Sequence, residues 1–387
     1  AAGVMSTTPP PLAFRPEEPM NTRREFVQDA AGAVAGIAFV GCGLLGAAPA
    51  QAQARRREVV VNGRRVKVVD VHAHCAVPEA MALMGLKLGA PGSSLPPVLH
   101  VAQAAPDRIR AMDEQGIDVE ALSINPYWYK ADRDLARRLI TIQNEKLAEA
   151  CAANPERFVA FASVALQHPD LAAEQLEEGV KKYGLRGAAI GGSVNEEELS
   201  DPKFHPFWAK AEQLGVLVFI HPQGAGAADP LSSRLKGNGM LANVIGNPLE
   251  TTIALSHLIF EGTLDRFPGL KICAAHGGGY LPSYAGRSDQ GCLTFPDRCP
   301  GPKDGPLKKK PTEYLKQLYY DNIMFTPEAM RHLAAEVGSS QVVVGTDYPY
   351  PWTKTAVDLV LATPGLSDAE RVAMLGGTAA RLLGIKA

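Results

Sequence analysis

An alternation restricts this chain more than any other feature. From residue 66 onward, short runs rich in β-branched and other apolar residues recur, each followed by a stretch with apolar residues at helical spacing. Strands are expected at 66–71, 118–124, 158–165, 186–191, 216–221, 271–276, 318–324 and 341–346. Helices are expected at 106–115, 132–153, 169–183, 204–214, 249–262, 312–317, 327–336 and 353–362, with a last pair of helical turns at 368–383. Most of the strands are apolar throughout, as a strand covered on both faces must be. The stretch 132–153 shows the helical half best: Leu135, Leu139, Ile140, Ile142 and Leu147 oppose charged positions. Strands separated by helices pair in parallel through right-handed crossovers. About eight such units in roughly 320 residues favour an α/β fold of the closed (β/α)8 TIM-barrel type over an open doubly wound sheet. No Gly-x-Gly-x-x-Gly or Walker sequence sits at a strand-to-helix junction, which argues against a nucleotide cofactor. Asn62-Gly63 between two valine-rich runs signals a hairpin, so a short β-ribbon at 55–65 is expected to lead into a barrel at 66–387. Two long segments, 224–247 and 289–311, are left as irregular loops after the fifth and sixth strands, where barrel loops shape a substrate site.

A formal net charge of -2 and the lack of any basic stripe argue against nucleic acid or an anionic membrane as partner, leaving small molecules. Ahead of the barrel, Thr22-Arg23-Arg24-Glu25-Phe26-Val27 precedes a Gly/Ala-rich apolar run from Ala30 to Ala48 and small-residue cleavage sites at Ala50 to Ala54. The pattern resembles a twin-arginine export signal over residues 1–54. It implies a periplasmic protein with no stable membrane span after processing. Past that segment lie Cys75, Cys151, Cys273, Cys292 and Cys299, an odd number without a disulfide-framework spacing. All five are expected to be free, although Cys292 and Cys299 flank a loop and could pair in an oxidising compartment.

Four of the nine histidines fall where an expected strand ends: His72 and His74 in Val-Asp-Val-His-Ala-His, His221 in Val-Phe-Ile-His-Pro, and His276 in Cys-Ala-Ala-His-Gly-Gly-Gly. Residues i and i+2 of a strand point the same way, so His72 and His74 can present two imidazoles to one point at the barrel mouth. Alone, a His-x-His pair is weak. Two further strand-end histidines and Asp347 in Val-Val-Gly-Thr-Asp-Tyr-Pro turn it into a metal-site signature. Neutral imidazoles with a carboxylate suit one divalent ion, zinc first, with manganese, iron and cobalt as alternatives. His168, His205, His257 and His332 fall on or beside helices and read as structural. Tyr127, Trp128 and Tyr129, just past the second strand, offer either an aromatic wall for substrate or ordinary loop packing.

These residues bring out a resemblance. The chain is similar, from about Val66 to its end, to the amidohydrolase superfamily, in the branch of aminocarboxymuconate-semialdehyde decarboxylase and related nonoxidative decarboxylases and hydrolases. The matching runs are Arg108-Ile-Arg-Ala-Met-Asp-Glu-Gln-Gly, Glu250-Thr-Thr-Ile-Ala, Arg266-Phe-Pro-Gly-Leu-Lys-Ile-Cys, His276-Gly-Gly-Gly and Gly345-Thr-Asp-Tyr-Pro. The resemblance implies a metal held by His72, His74, His221 and Asp347. It assigns His276, with Asp347, to the catalytic step. It also implies a homodimer in which Arg287 reaches a carboxylate in the neighbouring subunit's site. Relatives with two metals bridge them with a carboxylated lysine after the fourth strand; here that strand reads Arg186-Gly-Ala-Ala-Ile-Gly-Gly, without lysine, so one metal is expected.

The chain also departs from that decarboxylase. An arginine ahead of the first barrel helix is missing from Leu95-Pro-Pro-Val-Leu-His-Val-Ala-Gln, which leaves His100 nearby. Another is replaced near Phe295, and the tryptophan after His-Pro is Gln223. These changes point to a less acidic aromatic or cyclic substrate with one carboxylate facing Arg287. Nonoxidative decarboxylation is the leading expectation. Metal-dependent hydrolysis of an amide, ester, lactone or activated carbon–carbon bond comes second, and a noncatalytic periplasmic binding protein on the same fold third.

Overall fold

The computed structural model describes residues 56–90, 95–224, 232–299 and 306–386. The expected export signal lies outside the described residues. A two-residue ribbon pairs Val60–Val61 with Arg64–Arg65 in antiparallel fashion across Asn62-Gly63, so the return strand falls just ahead of the valines expected to form it.

Eight parallel strands follow, one for each strand expected: β1 (Val69–His74), β2 (Val119–Ser123), β3 (Phe158–Ala160), β4 (Gly187–Gly191), β5 (Leu217–His221), β6 (Lys271–Ala274), β7 (Tyr319–Asp321) and β8 (Val342–Val343). They form a three-stranded sheet, β1-β2-β3, and a five-stranded one running from β4 to β8. Isolated parallel bridges close both seams, Ala162 to Ala188 at one, and Asp70 to Val344 and Ala73 to Tyr348 at the other. The strands therefore follow one another in sequence order around a circuit, the (β/α)8 topology.

Alternation along the strands divides the core in two. Val69, Val71, Val119, Ala121, Phe161, Leu217, Phe219, Cys273 and Val343 pack together as one buried cluster inside the ring. Leu122, Ala160, Ala188, Val218, Ile220, Ile272, Val342 and Val344, at the alternate positions, join the larger cluster shared with the helices. Ala379, Leu382 and Leu383 of the last helix (Thr378–Leu383) complete the inner cluster. The inside of the ring is therefore packed with side chains, which leaves only the loop-bearing mouth for chemistry.

A helix follows every strand: α1 (Ala105–Gln115), α2 (Arg133–Ala153), α3 (Pro169–Lys181), α4 (His205–Leu214), α5 (Asn247–Phe260), α6 (Leu281–Thr294), α7 (Pro327–Val337) and α8 (Ala356–Ala362). Local chemistry fixes many of their ends: Asp132 caps α2, Thr326 caps α7, and left-handed Gly116 and Gly215 terminate α1 and α4. α6 corrects the sequence expectation, in which the one helix between the sixth and seventh strands is 312–317, present as Pro311–Tyr314 and Leu315–Gln317, and 289–311 is loop. Gly286 and Gly291 lower its intrinsic propensity, whereas Pro282 sits in the first turn, where a missing N–H costs nothing. A second correction concerns the cysteines. Cys292 and Cys299 form a disulfide across the end of α6, and only Cys75, Cys151 and Cys273 are free among the described residues.

Candidate metal centre

The mouth of the ring is built from strand ends. Between Asp70 and Ala73, β1 carries one residue more than β2, a bulge that re-aims the strand. Val71 can thus join the inner cluster while His72 and His74 both turn to the mouth. His221 is the last residue of β5, and Asp347 lies just beyond β8. His72, His74, His221 and Asp347 each offer a ligand atom, all within 4.8 Å of one another and all buried. His72 Nε2 lies 3.0 Å from His74 Nε2, and Asp347 Oδ1 lies 3.3 Å and 2.8 Å from the same two nitrogens.

Neighbouring groups hold these side chains in place. His72 Nδ1 is 2.6 Å from Asp321 Oδ2, which fixes its ring and leaves Nε2 for the centre. Asp321 also accepts the backbone N–H groups of His276, Gly277 and Ile323 at 2.9, 2.9 and 3.1 Å, and so joins β1 to the loop after β6. Asp70 accepts from His72 N and from the Thr346 hydroxyl, which ties β1 to the segment bearing Asp347. Replacing Asp321 by Asn is expected to weaken metal binding by roughly 10–100-fold with the fold intact. Chelator-competition titration beside a circular dichroism spectrum checks this.

Arg108 makes a further brace. Fully buried, it pairs with Glu120 at 2.9 Å, donates to the His74 carbonyl and lies 4.6 Å from the centre of the Tyr348 ring, next to Asp347. Arg108→Leu strands the Glu120 carboxylate in the core and is expected to lower unfolding stability by roughly 3–5 kcal/mol. Urea denaturation of the metal-loaded protein measures it.

The electrostatics fit a cation. Burial opposes charge on His72, yet the carboxylates of Asp347 and Asp321 override it and push its pKa up to about 10. Burial, aided by the neighbouring rings, holds His74 below the ordinary histidine value and His221 well below it. Against the pull of burial, the surrounding histidines keep Asp347 ionised, and the bond to His72 does the same for Asp321. Two rings thus keep free lone pairs beside two carboxylates, and His221 Nδ1 is buried with no hydrogen-bond partner. Three imidazoles and a carboxylate so arranged are a donor set for one divalent metal ion.

His276 stands beside this set. Its Nε2 is 3.7 Å from Asp347 Oδ2, and its ring centre is 5.3 Å from those of His72 and His221. His276 and Asp347 both hold positive φ, 55° and 61°, which is uncommon without glycine. Bonds to Asp321 and from Asp347 N to the His72 carbonyl impose these conformations, as expected where side-chain aim outweighs local strain. Glycines must follow His276: a Cβ at Gly279 would collide with the Pro248 carbonyl, and one at Gly278 would lie 2.6 Å from the Tyr320 ring.

His276 and Asp347 open into a cavity of about 460 Å3 whose wall includes Val244, Tyr280, Met324, Phe325 and Trp352. Tyr127 and Trp128 are not in that wall. Trp128 is fully buried in the core and donates to the Val164 carbonyl, and the Tyr127 hydroxyl accepts from Gln143. Both side chains are engaged in packing contacts and neither lines this cavity. His100 Nδ1 accepts from the N–H groups of Ala102 and Gln103, a local turn cap outside the cavity. Phe295 lies past the end of α6, also outside the lining, and Gln223 is fastened to the Pro126 carbonyl. Arg287 is exposed on α6 and does not line its own chain's cavity. The other histidines fall outside the cluster and the cavity lining: His168 precedes α3, His205 stacks edge-on to Phe267, His257 bonds Glu261, and His332 faces solvent. Sequence reasoning missed Asp321, although a carboxylate ending the seventh strand was the available signal.

Against known families, a model described as amidohydrolase matches residues 69–385. The chain belongs to the amidohydrolase family. Among curated relatives of this amidohydrolase, the 2-amino-3-carboxymuconate-6-semialdehyde decarboxylase of Dictyostelium discoideum is 33% identical over 285 residues, 72% of this chain and 76% of the relative. Gamma-resorcylate decarboxylase of Rhizobium sp. (strain MTP-10005) is 29% identical over 81% of this chain and 97% of its own. Among solved structures, 5-carboxyvanillate decarboxylase from Sphingomonas paucimobilis superposes with a TM-score of 0.73 at 25% identity, covering 83% of this chain and all of that one. Dihydroxybenzoic acid decarboxylase from Polaromonas sp. JS666, solved with bound manganese and 2-nitroresorcinol, gives 0.69 at 27% identity, covering 82% and 97%.

Proposed function

We propose that this amidohydrolase is a mononuclear metal-dependent, nonoxidative decarboxylase of a small aromatic monocarboxylate. The observation that carries the reading is the meeting of His276 with the buried His72, His74, His221 and Asp347 set at a largely apolar cavity. The names of all four relatives point to the same reaction class. When bound, the divalent ion supplies fixed positive charge that orients substrate oxygens and stabilises charge developing on them. His276 delivers a proton from Nε2 to the ring carbon bearing the carboxylate. The carbon–carboxylate bond then breaks, carbon dioxide leaves, and the bonding electron pair restores the aromatic ring. His276 regains its proton from solvent, so the balance is one carboxylate and one proton in, one arene and one carbon dioxide out. Asp347 Oδ2 lies 3.7 Å from His276 Nε2, and the apolar wall limits water at the reacting carbon.

Manganese is the ion we assign, in preference to the zinc expected from sequence, because the Polaromonas relative carries it. We extend the proposal to a homodimer that brings Arg287 of one protomer to the cavity of the other. In its support, Tyr284, Leu293 and Phe295, on or next to α6, are 65%, 72% and 56% exposed, an apolar surface of the kind that marks an interface. The Cys292–Cys299 disulfide suits the oxidising periplasm to which the amino-terminal motif points.

A panel of carboxyl-13C hydroxybenzoates together with hydroxybenzoate esters and aryl lactones, incubated with manganese- or zinc-loaded protein in 18O water, tests the reaction. Labelled carbon dioxide with no 18O in the aromatic product is the expected result. Heavy oxygen in the organic product would replace this reading with hydrolysis.

A further inference from the structure

The geometry points to a hydroxybenzoate that carries an apolar substituent on its ring, with Trp352 as the residue that selects it. The inference rests on the decarboxylase reading for its turnover readout, but its structural basis is independent. His276 and Asp347 fix the reacting end of the cavity. Ile323, Phe325 and Trp352 line this cavity and also a neighbouring one of about 330 Å3, which neither His276 nor Asp347 touches. These three side chains therefore form the wall turned away from the chemistry. No lysine or arginine is among the described residues that line the larger cavity, and its volume falls within the roughly 300–1,000 Å3 of pockets that enclose drug-sized ligands. A second carboxylate directed at this wall would pack against carbon with no cation in the described lining of this cavity, Lys354 lining only the neighbouring one, whereas an alkyl or alkoxy group would gain by burial.

Phe325 supplies a second line of argument. It holds φ at 62°, a conformation that a bulky non-glycine residue adopts rarely and at a cost. It also leaves 57% of its surface exposed. An exposed aromatic in a strained backbone does little for stability. It gains a role once an apolar group packs against it and the half-buried Trp352 indole, which lines the same cavity. Trp128 and Trp208 are wholly buried, so Trp352 is the one tryptophan of three that a ligand can reach.

The test uses 2-hydroxybenzoates bearing hydrogen, methyl, ethyl or propyl at position 4. Kd is measured by calorimetry on the manganese-loaded, full-length His276→Asn protein, and kcat/KM for carbon dioxide release on the otherwise unaltered enzyme. Kd is expected to fall about fourfold per added carbon, the equivalent of ~0.8 kcal/mol per buried methylene, with kcat/KM rising in parallel. Adding Trp352→Ala is expected to remove at least half of that gradient, while Trp352→Phe keeps most of it. If Trp352→Ala proves unfolded by circular dichroism, Phe325→Ala carries the same expectation with the indole in place. A flat or inverted series in protein with Trp352 intact overturns the inference, as does a full gradient in Trp352→Ala. Carbon dioxide release without a gradient sinks the substituent pocket alone. A gradient in Kd without carbon dioxide from any member sinks the decarboxylase reading and leaves the pocket standing.

Discussion

Exchange of His276 for asparagine is expected to lower kcat for decarboxylation by about a hundred- to ten-thousand-fold, the usual contribution of a positioned proton donor. Asparagine keeps much of the volume and polarity of the ring but cannot carry a proton. The Asp321 carboxylate would still hold the backbone at residue 276. Because the four ligand atoms come from His72, His74, His221 and Asp347, metal content should stay at the level of the unaltered protein. Steady-state kinetics beside metal analysis separates the roles. Loss of activity with metal retained identifies a proton donor, and loss of both makes His276 a fifth ligand.

Chelation should abolish turnover altogether, and restoring the ion should be a pH-dependent event with a predictable sign. In the metal-free protein His72 is protonated up to about pH 10, against 6.5 for an ordinary histidine. Its raised value means that its contribution to metal-free stability is complete below about pH 6.5 and is lost as pH rises through about 10. A cation that takes His72 as a ligand must displace that proton. Titration with manganese near pH 8 should release about one proton per chain, measured by calorimetry in buffers of different ionisation enthalpy. Apparent affinity should climb about tenfold per pH unit between roughly 7 and 10. At a thousand times Kd, the ion should stabilise the fold by about 4 kcal/mol. Uptake without proton release would place His72 outside the ligand set.

Much of the barrel was legible because its strands are continuous apolar runs, which only a two-sided cover explains, and because the helices between them carry a clear amphipathic period. Lengths were less legible. The third strand is expected to residue 165 and runs as a strand to Ala160 with one further bridge at Ala162, since the apolar character of Val164 and Ala165 reflects core burial and not ladder pairing. Helix α6 was hidden by its own glycines. The metal ligands could be read from local context, each sitting at the carboxyl end of an apolar run. Asp321 could not be read with equal ease, since what gives it meaning is His72, 249 positions away. The same distance problem misleads at Trp128: its indole turns inward because the Val164 carbonyl, 36 residues on, accepts its N–H. Pairing of Cys292 with Cys299, which their places around a loop allow, depends on how α6 ends, and that end is not visible in the sequence.

The most direct measurement is metal content by inductively coupled plasma mass spectrometry, on purified protein reconstituted with manganese and then gel-filtered, with Asp347→Asn treated alongside. One ion per chain in the unaltered protein, falling below about a tenth in the variant as expected for loss of the carboxylate ligand, is the predicted result. Equal occupancy in the two proteins, or an unaltered protein that emerges without metal, would contradict the assignment of His72, His74, His221 and Asp347 as a single cation site.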